Sequence, residues 1–287
     1  MKVNILERRT TGEGVPELSL PEWRKRLRVL SERDLWFLVT TCADRRTDHD
    51  RIVELVRDKP DLLAIMLEDE KLYRRLAQEE EAIVKISPYL LFAILLRHAR
   101  RQLAHEPFVM ERSGREKVPL FVTHRLRQLL EDEATMDYLV EMLASFVKTE
   151  SGMVHFRRRG VWYRYRFSDL DLDSLATLAA WVEEEFRFPL YKRSADVALF
   201  IPGVFPEHAP SREGTVSRRQ ARYLEDYEEA GRYFYALAAR HPVALSTGYA
   251  EVMEVIGEQF ADVRRLLNFI TDRYLGARRF RWFPAPG

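Results

Sequence analysis

Carboxylates at alternate positions form the pattern in this sequence that most resembles a cation site. The run "DLDLD", Asp169 to Asp173, spaces three carboxylates as the start of a calcium-binding loop does. The rest of that loop is missing, because Ser174 stands in place of its glycine and Ala180 in place of its bidentate glutamate. We therefore expect no calcium site, and we expect Asp173 to cap the helix that begins near Ser174.

Three further motifs contain residue types suited to metal binding. The string "DHD" (48–50) and the pair His98 and His105 lack the i, i+4 spacing with which two imidazoles hold one ion. "KPD" followed by "DEK", from Pro60 to Lys71, resembles in letters the metal motif of restriction-type nucleases. That motif belongs on a β-hairpin, whereas these residues follow helical patterns. We predict no metal ligands and no cofactor.

Familiar enzyme motifs are absent from the sequence. It contains no Gly-rich dinucleotide fingerprint, no phosphate loop, no H-E-x-x-H and no G-x-S-x-G. This argues against common nucleotide-dependent, zinc-protease and α/β-hydrolase chemistry, and we predict no catalytic residues. An enzyme of another type stays open as the third alternative; it would need a pocket with convergent acids, such as Asp196 with Glu207 or His208.

A basic and aromatic segment is the best candidate for a binding surface. "VHFRRRGVWYRYRF", Val154 to Phe167, contains five arginines, five aromatic residues and no acid. It predicts two strands around a turn at Gly160. Strand alternation places Val161, Tyr163, Tyr165 and Phe167 on one face and Trp162, Arg164 and Arg166 on the other.

The outer face of this hairpin has two interpretations. An arginine stacked on an indole makes a surface suited to a phosphate backbone or an unstacked base. The candidate contacts are Arg157, Arg158, Arg159, Trp162, Arg164 and Arg166. Alternatively, the face is solvated and neutralised by acids such as those at 183–185, while the tyrosine face enters the core.

A second basic and aromatic cluster lies at "ARRFRWFPAPG". An exposed segment of this composition would suit RNA, single-stranded DNA or an acidic partner, with Arg278, Arg279 and Arg281 as contacts. The alternative is that Phe280, Trp282 and Phe283 dock into the body of the protein, since large aromatic side chains are costly to leave in water.

Helical patterns dominate the elements that must position these groups. Ser31 with Asp34 forms a capping box, Asp48 is placed to cap the next helix, and Ser87 with Pro88 starts a long apolar helix. Residues 249–274 have the 3 and 4 spacing of a single one-sided helix that ends at a glycine, 276. It pairs antiparallel with a helix over roughly 217–240.

Two segments interrupt the helical pattern. The runs around "SGRE" predict a further hairpin, in which Pro119 requires an edge strand. The stretch "ADVALFIPGVFPEHAP" is apolar and broken by prolines.

The fold class predicted from these patterns is mainly α, a multi-helix bundle with one or two small β-hairpins. The organisation is a mobile leader (1–20), a helical region (21–105), a helix and hairpin region (106–180) and a second helical region (181–287), or all of these in one domain.

The overall composition limits what the charged residues can indicate about nucleic-acid binding. The 46 basic residues nearly balance the 45 acidic ones, so any nucleic-acid site must be regional. Arginine outnumbers lysine along the whole chain, a bias we attribute to bacterial-type base composition.

A single cysteine, Cys42, excludes an internal disulfide and favours a reducing cytoplasm. With no apolar leader, and no apolar run longer than "YLLFAILL" (89–96), we expect a soluble protein without membrane contact.

Residues 138–182 resemble part of the arsenical-resistance-type winged-helix repressors. The similarity covers an apolar helix end, a strand ending in arginines, the Gly160 turn, an aromatic return strand and a leucine-rich helix. The resemblance implies a winged-helix-like middle section whose wing touches DNA through Arg157, Arg158, Arg159 and Arg164. The equivalent of the recognition helix contains acids, and the metal-sensing cysteines of that family have no counterpart.

Our leading hypothesis for the function rests on the basic hairpin, Val154 to Phe167. We expect a non-catalytic protein that binds DNA, RNA or another acidic partner through the hairpin, helped by the second basic cluster. The hairpin would act without a conventional recognition helix. The alternative is a structural or adaptor protein that binds a protein partner or forms a homodimer. An exposed apolar patch, for example at "ALFIPGVF", would favour it.

Overall fold

A computed structural model describes residues 30–113, 116–121, 124–148, 151–158, 161–210 and 222–283. The predicted leader and the start of the helix predicted over roughly 217–240 lie outside these ranges. The helices before the first hairpin are α1 (Glu32–Cys42), α2 (His49–Asp58), α3 (Pro60–Leu67), α4 (Glu70–Gln78), α5 (Glu80–Lys85) and α6 (Pro88–His105).

Short-range capping interactions start two of these helices, as predicted. The Ser31 hydroxyl accepts from the Asp34 amide at 3.2 Å, and the Asp34 carboxylate accepts from the Ser31 amide at 2.9 Å. The same buried carboxylate accepts from the Ser87 amide at 2.7 Å, so it also fixes the start of α6 against α1. Asp48 occupies the predicted N-cap position of α2, but its carboxylate makes no cap hydrogen bond and instead pairs with Arg46 at 2.7 Å.

Two hairpins separate α6 from the C-terminal helices. In chain order the elements are β1 (Phe108–Ser113), β2 (Glu116–Phe121), α7 (His124–Glu131), α8 (Glu133–Ser145), β3 (Ser151–Arg158), β4 (Val161–Ser168) and α9 (Leu172–Trp181). Each hairpin is a two-stranded antiparallel sheet. Pro119 therefore lies on an edge strand, opposite Met110, where its missing N–H is tolerated. The mainly α class with two small hairpins is confirmed.

The remaining helices complete the bundle. They are α10 (Phe188–Val204), α11 (Leu224–Arg240), α12 (Pro242–Thr247), α13 (Ala250–Glu258), α14 (Phe260–Ile270) and α15 (Arg279–Trp282). A 3₁₀ turn (Pro206–His208) follows α10, and a π turn (Thr271–Leu275) and a 3₁₀ turn (Gly276–Arg278) connect α14 to α15. Within the described ranges, every helix is too short or too polar to span a lipid bilayer.

Helix α10 is the centre of the C-terminal half, packed against α9, α11 and α14. The predicted interruption of the helical pattern at Pro202 is wrong, because α10 continues through Pro202 to Val204 and is buried there. The buried Asn268 amide on α14 donates to the carbonyls of Pro202 and Gly203 at 2.8 Å each. These carbonyls at the end of α10 thus have a donor from the protein itself. Nearly all of the buried apolar side chains of the described residues form one contiguous cluster, from Leu30 to Phe283.

The single helix predicted over 249–274 is two helices, α13 and α14, with a break at Gln259. Helix α13 packs against α11, which confirms that the pair is formed. The break brings Phe260, fully buried, against Gly231 of α11. A methyl group at Gly231 would lie 2.1 Å from Cε2 of the Phe260 ring, so only glycine fits at this contact.

Gly231→Ala should destabilise the protein by about 2 kcal/mol. The clash of the new methyl group with the closely packed Phe260 ring should destabilise the fold by about 3 kcal/mol. The better helix propensity of alanine should offset about 1 kcal/mol of this. The free energy of unfolding in urea measures the change. Gly257→Ala on α13 is the matched control, since its new methyl would lie 3.2 Å from its nearest neighbour, Cβ of Tyr235. Equal stabilities of the two variants would contradict the close contact.

Candidate nucleic-acid interface

The register of β3 and β4 divides the basic hairpin into two faces. Arg157 lies opposite Trp162, His155 opposite Arg164, and Met153 opposite Arg166. Positions directly opposite on neighbouring strands share a face, so all of these positions belong to the face assigned to Trp162, Arg164 and Arg166. Arg158 is opposite Val161 and falls on the tyrosine face instead. Arg159 lies outside the described residues.

The tyrosine face is the one that packs against the helical body. The ring of Tyr165 meets the indole of Trp181 on α9 at 4.8 Å between centroids and 75° between planes. Tyr165 and Phe167 are half-buried, whereas Arg164 is exposed. The predicted alternation is therefore consistent with the described side chains: Tyr165 is attached to α9, and Arg164, its neighbour on the other face, is exposed.

The base of the hairpin is fixed by an ion pair and a cation–π contact. The Arg193 guanidinium of α10 lies 3.5 Å from the Asp169 carboxylate, just after β4. It also lies 3.8 Å from the centre of the Phe146 ring and donates to the Ser145 hydroxyl at 2.9 Å, at the end of α8. One arginine thus holds both chain ends of the hairpin against α10.

The "DLDLD" carboxylates have separate structural partners. Asp169 pairs with Arg193, and Asp173 pairs with Arg222. The N-cap of α9 is Asp171, whose side chain accepts from the Asp173 amide at 3.1 Å, so the predicted cap at Asp173 is wrong by two residues. Asp171 is favoured because its backbone is extended while the helix already begins at Leu172.

The other metal-like motifs are also explained by local contacts. Asp69 caps α4, and Lys71 pairs with Asp44 at 2.9 Å, so the nuclease-like letters lie on helices as predicted. His98 is buried and stacks on Tyr73 at 3.5 Å between ring centres. Burial, aided by the nearby Arg101, lowers the pKa of His98 to about 4. In the part of the chain that the structure describes, no three His, Cys, Asp or Glu side chains are grouped to hold an ion.

The second basic cluster is anchored by one aromatic side chain. Phe283 is buried, Trp282 is half-buried and Phe280 is 53% exposed. Arg279 pairs with Glu207, and its guanidinium lies 4.9 Å from the centre of the Phe280 ring. The guanidinium of Arg279 is thus engaged within the protein. Of the predicted arginine contacts in this cluster, Arg278 and Arg281 are the exposed ones.

An aromatic cluster connects the base of the hairpin to this segment. Phe146 stacks on Phe200 at 3.9 Å between centroids and 12° between planes. Phe200 meets Phe283 edge-on at 5.0 Å, and Phe283 stacks on Phe92 of α6 at 5.4 Å. Both predicted basic segments are thus attached to one buried cluster, which we call the aromatic cluster (Phe92, Phe146, Phe200, Phe205 and Phe283).

The acids proposed for an enzyme pocket do not converge. The buried Asp196 carboxylate accepts from the hydroxyls of Tyr138 and Tyr235 at 2.7 and 2.9 Å and pairs with Lys192 at 2.9 Å. Glu207 instead pairs with Arg279. Burial, and then the Asp196 charge, raises the pKa of both tyrosines well above the usual range, which keeps their hydroxyls protonated as donors. This arrangement has the character of a structural network.

The apolar patch proposed for an adaptor is not at the surface. All of "ALFIPGVF" is buried in α10 and the residue that follows it. Exposed apolar side chains occur elsewhere, among them Phe108 and Met110 on β1 and the more exposed Ile65 on α3 and Val84 on α5. The sequence did not distinguish these positions from the buried stretch, because both are apolar and only packing decides which is covered.

No protein-family model, no curated protein and no solved structure matches this chain.

Proposed function

We propose that the protein binds nucleic acid, without catalysis, through the outer face of the β3–β4 hairpin. The observation that carries the proposal is the division of the hairpin into two faces. Tyr165 packs on α9, while the register gathers Arg157, Trp162, Arg164 and Arg166 on the opposite side. Alternate positions along a strand are about 6.7 Å apart, so this face offers a row of cations for successive phosphates.

The winged-helix resemblance enters this proposal only through the wing. Helix α8, the counterpart of a recognition helix, is covered by α6, α7 and α13. Its exposed charged side chains are both acids: Glu133 pairs with Arg100, and Glu141 accepts from the Tyr249 hydroxyl at 3.0 Å. Acids repel phosphates at a groove entrance. We therefore propose contact with the backbone of the nucleic acid, with little preference for sequence.

Salt dependence tests this proposal. Binding of labelled single-stranded and duplex oligonucleotides, followed by fluorescence anisotropy, should weaken steeply as salt rises from about 50 to 200 mM. Replacing Arg157, Arg164 and Arg166 by Gln should reduce the slope of log K against log salt by about 2 on single strands, at about 0.7 per lost phosphate contact. Replacing the same residues by Lys should restore the slope, because the charges return.

The matched control removes three exposed arginines elsewhere on the protein: Arg33→Gln, Arg51→Gln and Arg240→Gln. It changes the net charge equally and should leave the slope unchanged. The free energy of unfolding confirms that both triple variants are folded. The absence of binding by the wild type at low salt would refute the proposal. An equal loss in the two triple variants would assign the binding to net charge and not to the hairpin.

A further inference from the structure

A cavity of about 140 Å³ lies between the N-terminal helices and the segment that follows α14. Its floor is formed by buried leucines, including Leu76 of α4 and Leu91 and Leu95 of α6. Half-buried aromatic side chains form its walls, namely Tyr73, Tyr274 and Trp282. A cavity of about 150 Å³ holds a benzene-sized molecule, so this one accepts a single ring or a short branched chain.

The path of the main chain after α14 builds one side of this cavity. The π turn Thr271–Leu275 carries Tyr274 and Leu275 to the wall and floor. Gly276 then caps the π turn with a positive φ of 51°, and Arg278 and Trp282, which follow it, line the same cavity. Single π turns inside helical segments recur at functional sites, because the extra residue reorients side chains.

The charges around the cavity select the class of ligand. Arg278 is exposed at the rim, and none of the described residues that line the cavity carries a carboxylate. His98 lies behind Tyr73 at 3.5 Å, and its lowered pKa of about 4 leaves it neutral at pH 7. An apolar floor with aromatic walls and an arginine at the entrance is complementary to a small molecule with an apolar body and one negative group.

From this arrangement we infer that the cavity is a binding site for a small aromatic or branched-chain carboxylate. The ring or chain occupies the floor between Tyr73, Tyr274 and Trp282, and the carboxylate meets the Arg278 guanidinium at the rim. This site is separate from the outer face of the β3–β4 hairpin. Its test requires no nucleic acid, so failure of either proposal leaves the other standing.

Benzoate is the probe, titrated into the full chain at neutral pH and followed by ligand-observed NMR. Saturable binding in the millimolar range or tighter is expected for a ligand of this size. Arg278→Gln should weaken benzoate binding about tenfold or more, because a hydrogen bond to a charged group is lost. Benzyl alcohol, the neutral analogue, should bind both forms equally.

Two variants make the result specific. Ala77→Phe fills the cavity from an exposed position on α4, so the protein should fold and benzoate binding should be abolished. Arg281→Gln removes a nearby exposed arginine that does not line the cavity and should leave binding unchanged. The inference fails if the wild type does not bind benzoate, or if Ala77→Phe binds it as the wild type does. Binding that Arg278→Gln leaves unchanged would overturn the carboxylate class.

Discussion

Asp196→Ala is expected to lower the free energy of unfolding by about 4 kcal/mol, the typical cost of removing one partner of a buried charged network. The side chain is 1% exposed and is the common acceptor for two tyrosine hydroxyls that are themselves buried. Alanine leaves both hydroxyls and the Lys192 ammonium without that acceptor, and each buried unsatisfied donor carries its own desolvation cost. Urea unfolding with an unchanged m value measures the loss.

Asp196→Asn is the matched control. The amide keeps an oxygen that accepts from Tyr138 and Tyr235, and it loses only the ion pair with Lys192, so about 1 to 2 kcal/mol should be lost. A double-mutant cycle adds a second readout: Tyr235→Phe should cost clearly less in the Asp196→Ala background than in the wild type. Additive effects, or a loss below about 1 kcal/mol for Asp196→Ala, would show that the network does not stabilise the fold.

Phe200→Ala should cost about 4 kcal/mol, as expected for truncating a fully buried phenylalanine in a well-packed core. Phe200 contacts Phe146, Phe205 and Phe283, so its loss opens a cavity between the base of the hairpin and α15. We also expect the variant to exchange its amide hydrogens faster than the wild type near Phe146 and in α15. The increase should be smaller in α2, which is remote in sequence from both.

Phe280→Ala controls for this effect within the same segment. Its ring is 53% exposed, so truncation should change the unfolding free energy by less than about 1 kcal/mol. Similar losses in the two variants, or unchanged exchange near Phe146 in Phe200→Ala, would show that the aromatic cluster does not couple the hairpin base to α15.

The parts of the fold that were predictable depend on residues close together in sequence. Ser31 with Asp34, and Ser87 with Pro88, start helices through groups at most three positions apart, and the structure contains both. The strands predicted around Gly160 are local in the same sense, and β3 and β4 form an antiparallel pair; Gly160 itself lies outside the described residues. The N-cap of α9 is Asp171 and not the predicted Asp173. Aspartate is a good cap at either position, so the sequence alone does not decide between them, and the packing of the helix does.

The unpredicted features depend on partners far apart in the chain. The stretch through Pro202 stays helical because Asn268, 66 residues later, satisfies its carbonyls. The Asp196 network unites α8, α10 and α11, and its only sequence signal was the i, i+4 spacing of Lys192 and Asp196. The cavity beside Arg278 likewise combines α4, α6 and the π turn, which no periodicity in the sequence brings together.

The contact between Phe92 and Phe283 has a consequence for the rate of folding. These rings stack although about 190 residues separate them, and Phe283 is 2% exposed. Loop closure over such a distance must precede any stabilisation from the contact, which slows folding relative to a bundle with local contacts only. On the ribosome, the aromatic cluster stays incomplete until Phe283 has emerged. Until then Phe92 lacks its stacking partner and Phe200 lacks its edge-on contact with Phe283, so the nascent chain exposes an apolar surface that chaperones can recognise.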